Sequence, residues 1–220
     1  MEKLKRYLIF FVGLFINSLG VALITKANLG TSPISSIPYV LSLDFSLTLG
    51  QFTIIFSVFL ILLQIIILRK NFRLEDLLQI PISIFFGYFI DLSMNLLHTI
   101  NPKLYTAKAA CLLIGCLILG FGVYTEVLAN VAMLPGESFV RAIVATWNTD
   151  FGKTKIAFDV TMAVSAAIMS FFFFHELNGI REGTIIAALL VGFIARFFGK
   201  QLAAIENLLF EREEDIIEEL

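Results

Sequence analysis

Charge is scarce in this chain of 220 residues: Asp, Glu, Lys and Arg make up 15% of it, where a soluble domain carries about 25%. Histidine and cysteine are scarcer still, with two of each. Cys111 and Cys116 lie together inside one apolar segment. They supply no disulfide framework and are expected to act as small packing groups. His98 and His175 stand at segment ends, where water is the expected neighbour. There is no zinc-ligand spacing, no glycine-rich phosphate loop and no basic stripe. Metal-dependent, nucleotide-binding and nucleic-acid-binding classes therefore lack their usual signals, and no metal or cofactor is expected. No clustered nucleophile and base suggests an enzyme. Ten-residue segments of alternating polarity, the mark of a transmembrane barrel, are missing as well.

Apolar residues fill the space, at 58% of the chain with a mean hydropathy of +0.89. Several runs reach about 20 residues, the length that crosses a hydrocarbon core. The pattern predicts an all-α polytopic membrane protein with six spans, at about 5–26, 49–69, 75–98, 107–128, 152–174 and 182–203. The first run follows basic residues, as a signal peptide does. It recurs later in the chain, which argues for a permanent span. Two shorter apolar segments, 33–43 and 135–147, each begin at a proline, a residue suited to the first turn of a helix. Ser32 stands where an N-cap would.

The halves of the chain match. Shifting residues 13–58 by 102 pairs them without gaps with 115–160, and 12 of 46 positions are identical. The identities include Gly13/Gly115, Gly20/Gly122, Asn28/Asn130, Pro33/Pro135 and Gly50/Gly152, which apolar bias alone does not supply. This is the signature of an internal duplication: residues 1–105 and 106–205 form two repeats. Three spans per repeat is an odd number, so the second repeat enters from the opposite side, as in many secondary transporters. With the N-terminus inside, twelve basic residues fall on the cytoplasmic side and four outside. Making the short segments cross as well reduces the contrast to ten against six. The positive-inside rule therefore favours six spans with both termini cytoplasmic. The tail 206–220 carries seven acidic residues and one arginine. It is read as a solvated segment, with a partner-binding helix as the alternative.

The two breaks, "KANLGTSP" (26–33) and "LANVAMLP" (128–135), are where chemistry is expected. Non-helical backbone cannot face lipid. The short helices either re-enter the membrane or lie along its interface. If they re-enter, their N-termini offer free N–H groups to an anion or carboxylate. The candidate substrate-binding residues are Asn28, Thr31, Ser32 and Ser36 in the first repeat, and Asn130, Glu137, Ser138 and Arg141 in the second. Any such site is lopsided, hydroxyl-rich on one side and charged on the other. The two asparagines could equally cap and satisfy their own breaks. Charges within spans are costly and suggest function, which selects Asp91, Glu126, Asp159 and Arg196. A shift of 105 makes Asp91 and Arg196 equivalents, as it does Gly87 and Gly192. Inversion places those two charges towards opposite faces, so each is expected to snorkel to its own interface. Glu137 and Arg141 have the i, i+4 spacing of an ion pair.

The stretch "GVALITKANLGTSPISSIPYVLS" resembles the start of the YczE/YyaS/YitT family of bacterial integral membrane proteins, with Ala27, Leu29, Gly30, Thr31, Ser32, Pro33, Thr48 and Gly50 as the matching residues. "IREGTIIAALLVGFIARFF" is similar to that family's Gly-Thr-Ile helix through Gly183, Thr184, Ile185, Ala188 and Gly192. The second repeat departs from the pattern, with "AMLPG" for Gly-x-Ser-Pro. The resemblance implies a plasma-membrane protein of the kind often taken for a small-molecule transporter. The expectation that follows is secondary transport of a small anionic or zwitterionic metabolite in a lipid bilayer. A non-transporting accessory protein with a docking tail is the alternative. Homo-oligomerisation is left open.

Overall fold

A computed structural model describes residues 2–202; the acidic tail lies outside the described residues. Among these residues eight α-helices follow in chain order: α1 (Glu2–Lys26), α2 (Pro33–Asp44), α3 (Leu49–Leu68), α4 (Gln79–Leu96), α5 (Tyr105–Ala129), α6 (Pro135–Trp147), α7 (Phe151–Phe174) and α8 (Glu182–Gln201), with two short 3-10 turns between α3 and α4. No strand occurs among the described residues. Six helices are long and apolar enough to cross a membrane; α2 and α6 are not. Both short helices start at their prolines.

The centre of the bundle is the crossing of α1 with α5, made close by four glycines. Gly13 lies against Glu126 and Gly20 against Leu119, while Gly115 lies against Ile24 and Gly122 against Asn17. Seven residues up α1, from Gly13 to Gly20, correspond to seven down α5, from Glu126 to Leu119. The helices are therefore antiparallel, and small residues let their backbones approach. Each approach also has its counterpart 102 residues on. The contact of Gly13 with Glu126 maps onto that of Gly115 with Ile24.

Around this pair, α4 packs on α1 and α8 on α5. The short helices cross over: α2 packs on α7 as well as α3, and α6 packs on α3 as well as α7. In α1, 61% of the most apolar stretch is buried, against 17% in α7 and in α8. Helix α1 is thus a core element, while α7 and α8 turn most of their surface outwards.

Candidate functional site

The first break ends α1 with Asn28 in the left-handed region (φ 54°), and the second ends α5 with Asn130 in the same conformation (φ 47°). Asparagine tolerates this geometry better than most residues. Both side chains are exposed, so the capping role is the one their backbone displays.

Beyond Asn28 the first break is knitted from hydroxyls. Thr25 and Thr31 share a hydrogen bond of 2.9 Å, and Ser32 donates to Ser35 at 2.9 Å. Ser36 donates to the carbonyl of Ser32. Ser32 occupies the N-cap position of α2 without a side-chain cap bond. The start of α8 fastens the break: Gly183 N–H donates to Leu29 O at 2.8 Å, and Thr31 N–H donates to Thr184 Oγ1 at 3.2 Å. Gly30 takes φ 120°, and a Cβ there would strike Thr184. The two stretches that carried the family resemblance therefore meet in space.

The second break is held by amides. Gln64 donates to Pro135 O at 3.1 Å and to Gln79 Oε1 at 3.2 Å. Asn17 donates to Glu126 at 2.8 Å beneath the α1–α5 crossing, where Glu126 is 6% exposed. Glu137, in the first turn of α6, lies within the electrostatic reach of Lys155, Asp159 and Arg141, and Glu126 within that of Glu137. Lys155 and Asp159 form an ion pair of 2.6 Å. One region between α5, α6 and α7 thus gathers Glu126, Glu137, Lys155 and Asp159. Their counterparts 102 residues earlier are Ile24, Ser35, Thr53 and Ser57, all buried and none charged. Ser138 is half-buried beside Glu137.

The first turns of the two short helices touch. Ile34 of α2 packs against Gly136 of α6 so closely that a Cβ on the glycine would overlap it. Yet the helices leave from opposite ends of the bundle. Lys26 ends α1 at one end, while Arg6, near the start of α1, reaches the carbonyl of Ala129 at the other (3.4 Å). Pro33, Ser35, Ser36, Pro135, Gly136 and Val140 are buried between the surrounding helices.

An open cleft of about 730 Å³ lies at the first break's end, lined by Lys26, Asn28, Tyr39, Thr48, Asp91 and His98 among others. Asp91 is spent on structure there: Oδ1 accepts the Gly50 N–H at 2.8 Å and Oδ2 accepts the Thr48 hydroxyl at 2.6 Å. Beside the second break lies an apolar niche of about 160 Å³ between Phe10, Pro81, Phe85 and Val131.

Arg196 is exposed, and neither ion pair among the described residues joins it to Asp91. Arg141 does not reach Glu137 in an ion pair; its guanidinium meets Met133 Sδ at 3.2 Å. The structure adds residues that a search for charges passes over: Asn17, Gln64, Gln79 and Thr184. Their signal in the sequence is an uncharged polar side chain within an apolar run.

The chain matches, over residues 4–200, the family described as DUF6198, a family of unknown function, and belongs to it. It is 28% identical over 194 residues to the uncharacterized protein YyaS of Bacillus subtilis (strain 168), covering 88% of this chain and 92% of that one. It is 28% identical over 199 residues to the uncharacterized membrane protein YczE of the same organism, covering 89% and 86%. Neither relative carries the YitT name. No solved structure matches the chain. Six candidate spans and a relative named as a membrane protein identify a multi-pass membrane protein.

Proposed function

We propose that this DUF6198 protein is a secondary transporter of a small anionic or zwitterionic metabolite, built from two inverted repeats in the plasma membrane with its N-terminus cytoplasmic. The observation that carries this reading is the contact of Ile34 with Gly136. Two short helices that leave opposite ends of the bundle and touch by their first turns must both turn inwards. Helices lying in opposite interfaces would be separated by about 30 Å of hydrocarbon. The antiparallel α1–α5 crossing, with each contact repeated 102 residues on, supports inversion.

Broken helices meeting inside a bundle are the usual place for a transport site. The positive ends of α2 and α6 favour an anionic group. Lys155 and Arg141 add positive charge on the second repeat's side, with Glu126, Glu137 and Asp159 available for an ammonium group or a coupling ion. The polar cleft beside the first break gives a solute a wet approach from one face.

The test is a thermal-shift screen of purified protein against anionic, zwitterionic and neutral metabolites, followed by uptake of each hit into proteoliposomes. The reading expects a selective hit that Arg141→Ala or Glu126→Gln abolishes. Absence of any hit and any uptake across all three classes would remove the transport reading.

A further inference from the structure

The hairpins of the two repeats are in different states. In the α3–α4 hairpin the free ends are clasped: a Cβ on Gly50 would overlap the carbonyl of Gly87, and Asp91 takes the Gly50 N–H and the Thr48 hydroxyl. In the α7–α8 hairpin the same ends are apart. A Cβ on Gly192 would meet nothing within 4 Å, and one on Gly152 would meet only the carboxylate of Asp150, at 3.3 Å.

Every part of the clasp nonetheless has a counterpart. A shift of 102 carries Thr48 and Gly50 to Asp150 and Gly152, and a shift of 105 carries Gly87 and Asp91 to Gly192 and Arg196. The polar pair keeps its complementarity in another form. A hydroxyl on a carboxylate becomes a carboxylate facing a guanidinium. At present Asp150 caps α7 by accepting the Lys153 N–H at 2.9 Å through Oδ1. A carboxylate has a second oxygen with which to accept from an arginine. Arg196 stands exposed in α8, five residues before its end, the same distance at which the half-buried Asp91 stands in α4.

We propose that the protein has a second state in which α7 closes on α8 through Gly152 and Gly192, latched by an Arg196–Asp150 ion pair, while α3 parts from α4. The inference rests on the inverted-repeat reading and adds the moving parts to it. Paired glycines let two helices approach without repacking larger side chains. A surface ion pair contributes little stability, which suits a latch that must reopen. The two ends of the bundle would then close in turn, one by the Thr48–Asp91 clasp and the other by Asp150–Arg196.

The experiment uses the full chain in native membranes with Cys111 and Cys116 replaced by alanine, carrying either T48C/D91C or D150C/R196C, under a mild oxidant. A disulfide requires Cα atoms within about 7 Å. Both pairs are expected to cross-link within one chain, and pre-formation of either disulfide in a four-cysteine chain is expected to suppress the other. Gly192→Leu is expected to block the D150C/R196C cross-link while leaving that of T48C/D91C intact, which also shows that the variant folds. A D150C/R196C chain that gives no intramolecular cross-link, or only a dimer, while T48C/D91C cross-links fully would overturn the latch. Uptake by a chain that never closes α7 on α8 removes the latch and leaves transport standing. Closure without uptake of any solute does the reverse.

Discussion

Asp91 is a charge in an apolar helix whose cost is met within the fold, since its carboxylate holds the first turn of α3. Asp91→Ala removes two hydrogen bonds to a charged acceptor and is expected to lower stability by roughly 1–3 kcal/mol, read as thermal unfolding in detergent. Asp91→Asn should fall between the two, because its amide oxygen can still accept. Glu126 gives a different contrast. Glu126→Gln keeps an acceptor for Asn17 and is expected to unfold close to the parent, whereas Glu126→Ala strands a buried amide at about 1–3 kcal/mol. The positions of these acids were legible in the sequence, because a carboxylate in an apolar run is conspicuous. Their roles were not. The partners of Asp91 lie more than forty residues away and those of Glu126 more than a hundred. Gln64 and Gln79 escaped notice because a neutral amide barely interrupts a hydrophobic run.

The α3–α4 and α7–α8 hairpins carry equivalent glycines in unequal surroundings. Gly50→Ala drives a methyl group into the backbone of Gly87 and is expected to be destabilising. Gly192→Ala enters open space and should leave thermal unfolding unchanged. Gln64 and Gln79 bond each other and Gln64 also bonds Pro135 O, so Gln64→Leu alone leaves the buried Gln79 amide short of a partner. Adding Gln79→Leu is expected to cost less than the sum of the singles, as a double-mutant cycle would measure. The starts of the short helices followed from the sequence, at Pro33 and Pro135 as the proline rule requires, whereas α4 begins at Gln79 after a 3-10 turn over Leu74–Leu78 and ends at Leu96, shorter than the expected 75–98. The direction of the short helices did not follow, because a proline-led segment of a dozen apolar residues suits an interface as well as a bundle interior. The contact of Ile34 in α2 with Gly136 in α6 has no signature in local periodicity.

Over the whole molecule, contacts come in pairs 102 residues apart. Gly13 with Glu126 recurs as Gly115 with Ile24, and α2 on α7 recurs as α6 on α3. The positions 102 residues before Glu137, Lys155 and Asp159 are Ser35, Thr53 and Ser57, buried in close packing and uncharged. The pairing of these contacts was legible because glycine, asparagine and proline recur at one spacing. The unequal closure of the hairpins was not, since both carry the same glycines. The account stands on the two short helices turning inwards to meet. Its most direct test is disulfide formation between I34C and G136C in native membranes, with Cys111 and Cys116 replaced by alanine. The account predicts an efficient cross-link within one chain and protection of both thiols from a membrane-impermeant reagent. No cross-link, with each thiol labelled from the opposite face, would contradict it.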